Sequence, residues 1–164
     1  DYIVGAGPGA PSLVKIYDGE SLNQIAILIA FEISFTGGVY VAGGDLDGDG
    51  FAEVVVTPDQ GGGPVVAVYD GEALAGGSVV ELARFLGIQD DTFRGGARVA
   101  VGDVTGDGLA DIVVAAGFEG GPRVTVWSGA AVVAGDTGLD ATPYANFFAF
   151  EDTLRNGTFV AVGD

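Results

Sequence analysis

Gly37–Val56 reads GGVYVAGGDLDGDGFAEVVV, and Gly95–Val114 reads GGARVAVGDVTGDGLADIVV. Both runs follow one plan: a short stretch rich in valine, a loop dense in aspartate and glycine, then a second valine-rich stretch. Two such stretches joined by a tight polar turn predict a β-hairpin, and its recurrence marks the chain as a repeat protein.

Working outward, a third partial copy, NGTFVAVGD, occupies Asn156–Asp164, and its continuation stands at the other end of the chain. Asp1–Gly19, DYIVGAGPGAPSLVKIYDG, matches Ala52–Gly71 and Ala110–Gly129, with Asp1 where Glu53 and Asp111 stand. The chain therefore reads as three repeats, one of them cut open. In the complete copy from Gly37 the candidate strands are VYVAGG, EVVVTP, VVAVYD and VVELARFLG, separated by Gly, Pro and Asp clusters. No stretch shows a convincing helical period with caps, so helix should be scarce. A unit of four antiparallel strands repeated at this spacing predicts an all-β chain of β-propeller blades, because both apolar faces of each twisted sheet need a neighbouring blade to cover them. A β-solenoid or a stack of sandwiches fits the same repeats less well.

The expected organisation follows. Residues 1–35 supply strands 2–4 of the broken blade, 36–92 and 93–153 are complete blades, and 154–164 is the first strand of the broken one. Three blades are fewer than a propeller ring needs. The expectation is half of a six-bladed ring: a homodimer in which each C-terminal strand completes the partner's first blade. The alternative is that the chain is part of a longer propeller.

Composition narrows the function. The chain has 164 residues with 48% hydrophobic and 18% charged, a globular rather than disordered balance. Its 23 acids against 6 bases give a net charge of −17, which repels phosphate backbones and favours cations as partners. Nucleic acid is therefore not an expected partner. The longest strongly apolar run, Ile25–Phe31, falls far short of the ~20 residues that span a bilayer, so membrane insertion is not expected either. With no histidine, no cysteine and a single lysine, the usual nucleophile and base partnerships cannot be assembled, and the chain is not expected to be an enzyme.

The loops carry the chemistry. In Asp45–Glu53, DLDGDGFAE, acidic side chains fall at positions 1, 3, 5 and 9 (Asp45, Asp47, Asp49 and Glu53). In Asp103–Asp111, DVTGDGLAD, the same positions hold Asp103, Thr105, Asp107 and Asp111. Calcium takes roughly six to eight oxygens, and a tightly turned loop with an oxygen on alternate residues points them at one centre. The carbonyls of Phe51 and Leu109 at position 7 add a further candidate ligand in each loop. Asp-Gly turns also occur in hairpins without any ion, but that accounts for two residues and not for four carboxylates in nine positions with no base among them. Thr105 removes one negative charge, so the second loop is expected to bind more weakly. Asp164 and Asp1 hold positions 1 and 9 of a third loop that lacks its middle, which is expected to hold calcium poorly.

At these residues the sequence resembles the FG-GAP, or VCBS-type, repeats of integrin α-chain propellers and of many bacterial surface and secreted proteins. The resemblance rests on the DxDxDGxxE and DxTxDGxxD loops, on AEVVV and ADIVV after them, and on GGGPVVAVYDG and EGGPRVTVWSG beyond. It implies calcium bound by positions 1, 3, 5, 7 and 9, and an extracellular or cell-surface location. Glu53 departs from the aspartate usual at position 9. Three roles fit this reading: a calcium-stabilised binding or adhesion scaffold with a protein or glycan ligand, a lectin-like propeller, or the non-catalytic propeller of a secreted polysaccharide-degrading enzyme.

Other motifs give less. GAGPGA at Gly5–Ala10 fits a dinucleotide pattern, but prolines and an alternating strand follow where a helix would have to start. Tyr17, Tyr69 and Trp127 share one repeat position and are expected in blade-to-blade packing. Asn156 replaces Gly37 and Gly95, which fits a left-handed backbone position.

Overall fold

The computed structural model describes residues 1–138 and 141–163. The chain folds into three antiparallel sheets, each a simple meander, with the architecture of a partial β-propeller. The first sheet holds β1 (Tyr2–Gly5), β2 (Leu13–Tyr17) and β3 (Gln24–Ile29). The second holds β4 (Val39–Gly44), β5 (Glu53–Pro58), β6 (Val65–Tyr69) and β7 (Glu81–Leu86). The third holds β8 (Ala97–Gly102), β9 (Asp111–Ala116), β10 (Arg123–Trp127) and β11 (Ala145–Phe148). The repeats share a register: Val41 faces Val56 and Ala42 faces Val55 in the second sheet, as Val99 faces Val114 and Ala100 faces Val113 in the third.

Side chains alternate across a strand, so a strand covered on both faces is a near-continuous apolar run whose few polar groups need hydrogen-bond partners. β5 and β9 are buried at every position. Val54 and Val56 pack with Val14, Ile16 and Leu28 of the first sheet, while Val55, Val66 and Phe85 pack with Ile112 and Val114 of the third. The shared aromatic position behaves as expected at Tyr69 and Trp127, whereas Tyr17 is only partly buried and belongs to no core cluster. Tyr69 Oη donates to the Ala30 carbonyl of the preceding sheet at 3.0 Å, and Trp127 Nε1 donates to the equivalent Gly87 carbonyl at 2.9 Å. Trp127 also meets the Phe85 ring edge-on, 4.9 Å between centroids. Each preceding sheet thus offers a carbonyl and an apolar rim, and the following sheet inserts an aromatic with a polar tip.

Two short helical turns, α1 (Gly71–Ala75) and α2 (Gly129–Val133), follow β6 and β10. Asp70 and Ser128 cap them by accepting from Ala73 N and Ala131 N. Each buries one apolar residue, Leu74 or Val132. A single turn is too short to show a helical period.

The left-handed residue of the blade-entry turn is not at the position of Asn156. Gly38, Gly96 and Gly157, one residue further on, have φ of 93°, 72° and 69°. Gly37 and Gly95 are small for another reason: a Cβ there would collide with the carbonyl oxygens of Gln60 and Phe118.

Residues 158–163, expected as an inner strand, have no strand partner among the described residues. They nevertheless lie on the third sheet as β8 lies on the second. Val160 and Val162 pack against Val113, Ala115, Val124 and Val126. A Cβ on Gly102 would meet Val162 at 2.6 Å, as one on Gly44 would meet Val101 at 2.5 Å. Gly157 N donates to Gly120 O at 3.0 Å, repeating the Gly96 N to Gly62 O bond. Thr158 N donates to Ala116 O, as Val39 N does to Ala6 O. The Arg98 guanidinium sits 3.8 Å from the centre of the Phe159 ring and further pins the segment. Asp164, the expected first residue of the third loop, lies outside the described residues.

Candidate metal centre

Both acidic loops join the first two strands of a complete sheet, β4 to β5 and β8 to β9, and they fold alike. In the first, Asp45 accepts from Gly48 N at 2.7 Å through one oxygen and from Gly50 N at 3.1 Å through the other. In the second, Asp103 accepts from Gly106 N and from Gly108 N in the same way. The four glycines have φ between 79° and 91°, a left-handed region that side chains disfavour, so the turn depends on them. Asp49 and Asp107 each accept from the amide two residues on, Phe51 N at 2.7 Å and Leu109 N at 2.9 Å. Position 7 is therefore held against position 5 in both loops.

Asp45, Asp47 and Asp49 come together with one carboxylate oxygen each, all within 4.8 Å of one another. Calcium–oxygen bonds of about 2.3–2.6 Å place ligand oxygens up to ~5 Å apart, so this cluster fits the ion. Neither nine-residue loop contains a lysine or arginine. In the second loop Asp103, Thr105 and Asp107 occupy the matching positions, and Thr105 Oγ1 is buried with no hydrogen-bond partner. An orphaned hydroxyl at the loop position between Asp103 and Asp107 also fits a cation.

Position 9 does something the spacing did not reveal. Glu53 is buried beneath its loop and spends its oxygens on two amides, Leu46 N at 2.7 Å and Gly71 N at 3.4 Å. Asp111 accepts from Val104 N at 3.0 Å, Thr105 N at 2.9 Å and Gly129 N at 3.3 Å. Gly71 and Gly129 open α1 and α2, so position 9 ties each loop to the helical turn behind it. Burial, and then the charges of Asp47 and Asp49, push the Glu53 carboxyl above the usual range against the pull of its two amides. A cation at the three aspartates would relieve that repulsion.

Leu46, at position 2, is the other residue that spacing passed over. It is fully buried in the cluster between the second and third sheets, among Val55, Ile112 and Val132. A Cβ on Gly129 would meet its Cδ2 at 2.9 Å. The carbonyl of Asp45 accepts from Ala110 N at 2.8 Å, so the first loop is bolted to the end of the second. The visible signal was a lone leucine inside an acidic loop.

Comparison with known proteins gives a family on these same residues. Residues 45–114 match the FG-GAP-like repeat, and residues 95–134 match the FG-GAP repeat. No curated protein matches the chain. The matched stretch begins at the first acidic residue of the first loop, includes both loops and ends in the helical turn after β10; the chain therefore contains FG-GAP-type repeats, built as β-propeller-like sheets of a binding scaffold.

Proposed function

We propose that this chain is a calcium-stabilised binding or adhesion scaffold that works outside the cell or at its surface. The observation that carries the reading is the convergence of Asp45, Asp47 and Asp49 without a basic side chain in the loop. Asp45, Asp47 and Asp49, with the Phe51 carbonyl, would hold one ion; Asp103, Thr105 and Asp107, with the Leu109 carbonyl, would hold a second. Glu53 and Asp111 then act chiefly from behind, orienting each loop through its amides. FG-GAP repeat families are generally non-catalytic scaffolds and occur in extracellular proteins. Loops of low affinity suit that setting, since extracellular calcium-binding modules work at dissociation constants of about 10⁻⁴–10⁻³ M. Calcium tenfold above its dissociation constant adds about 1.4 kcal/mol of stability per site, locking neighbouring sheets together.

Calorimetric titration of chelator-treated protein tests the reading. Two sites per chain are expected, the weaker one lost in Asp107→Asn and the tighter one in Asp49→Asn. Absence of binding heat together with an unchanged melting temperature on adding calcium would sink the proposal.

A further inference from the structure

Three contacts join the two acidic loops to each other across the seam between the second and third sheets. The first is a hydrogen bond. Ala110 N, at position 8 of the second loop, donates at 2.8 Å to the carbonyl of Asp45, whose side chain is the first candidate ligand of the first loop. The second is the seat of Leu46. Its amide donates to Glu53 Oε2 at 2.7 Å, and its Cδ2 stands 2.9 Å from where a Cβ on Gly129 would be, while the Gly129 amide is held by Asp111. The third is Leu109, at position 7 of the second loop, whose Cδ2 lies 3.1 Å from where a Cβ on Gly48 would be. We infer that these contacts make the two loops bind calcium cooperatively, an ion in one raising the affinity of the other. The inference rests on the calcium reading of both loops and adds an interaction between them.

Each contact begins at a residue that one ion would fix and ends at a residue that the other ion needs. With its carbonyl held in a filled second loop, Leu109 is immobilised together with Ala110. Ala110 then presents a fixed donor to the Asp45 carbonyl, and Leu109 a fixed side chain to Gly48, whose amide Asp45 accepts at 2.7 Å. Asp45 is thereby ordered before its own ion arrives. In the other direction, fixing Asp45 and Asp47 fixes Leu46 between them. Leu46 braces Gly129, and so steadies the amide that Asp111 grips beneath the second loop.

Ordering that the first ion has already imposed need not be imposed again by the second, which gives positive coupling with no change of fold. Linkage makes the factor the same in both directions. Repulsion between the two ions opposes the effect. It is screened over about 8 Å at physiological salt, whereas packing and a hydrogen bond are not.

Calcium titration of chelator-treated protein at physiological salt tests the coupling. In the unmutated chain the tighter first loop fills first, so the second step reports the second loop beside a filled neighbour. Asp49→Asn reports the same loop beside an empty one. The second step should be at least about fivefold tighter than binding to Asp49→Asn. Charge alone predicts the reverse, because the emptied loop of the variant keeps three acidic side chains, whereas the filled loop sets two positive charges against four. Leu109→Ala keeps the carbonyl at position 7 and removes the side chain over Gly48. It should at least halve the ratio, measured against Leu109→Ala with Asp49→Asn. The rise in melting temperature in saturating calcium should also exceed the sum of the rises in Asp49→Asn and Asp107→Asn. A ratio of one or less, a ratio indifferent to Leu109→Ala, or additive melting shifts with both loops binding would overturn the coupling and leave calcium binding intact. Absence of binding heat in every variant would instead remove the calcium reading, and the coupling with it.

Discussion

Leu46→Ala removes three carbons from a side chain that has no exposed surface. At about 0.8 kcal/mol per buried methylene the transfer loss alone is about 2.4 kcal/mol. The cavity adds to this because its walls cannot close. Gly129 has no side chain to swing inward, and its amide is held by Asp111; Val55 and Ile112 belong to paired strands. The expected cost is about 3 kcal/mol, within the range found for buried leucines, and for a chain of this size a fall in Tm of about 6–12 °C. Phe51→Ala, in the same loop but 43% exposed, should cost under about 1 kcal/mol. Urea unfolding in chelator, followed by the fluorescence of Trp127, reports on the relevant contact because that indole lies in the same cluster. If Leu46→Ala proves no more costly than Phe51→Ala, the loop is not anchored in the sheet interface, and the account of position 2 fails.

Asp111→Asn, measured in chelator, should destabilise the chain by about 2 kcal/mol, because the amide replaces one acceptor oxygen with a donor facing backbone N–H groups; a cost seen only in calcium would make Asp111 a ligand and not a brace. At alkaline pH the Tyr69 phenol, pushed up to about 12 chiefly by burial, keeps its proton after the unfolded chain has lost it. Stability should therefore be constant up to about pH 10 and fall between pH 10 and 12, by about 2 kcal/mol in all. Tyr69→Phe should remove that fall, and an unchanged pH profile in that variant would refute the assignment.

How much of this was legible beforehand differs by element. β4 and β5 were visible to the residue, because β5, buried on both faces, carries an unbroken run of valines and the flanking Gly, Pro and Asp mark the ends of both. α1 and α2 were missed, since one turn is too short for a period and the only signs were the capping Asp70 and Ser128. The aspartates at positions 1, 3 and 5 were legible because alternate residues of one loop converge locally. The buried roles of Glu53 and Asp111 were not: the groups they hold include Gly71 and Gly129, which are distant in sequence.

What the sequence alone determined, then, is what recurs at short range: the strands and the acidic turns, each set by residues close in sequence and repeated. The tertiary structure decided what depends on residues brought together from different repeats. It put Leu46 into the seam between sheets, set Glu53 and Asp111 against the amides of Gly71 and Gly129, and laid residues 158–163 on the third sheet. The physical reason is that the strand pattern states which faces must be covered, whereas stacking the sheets determines what covers them.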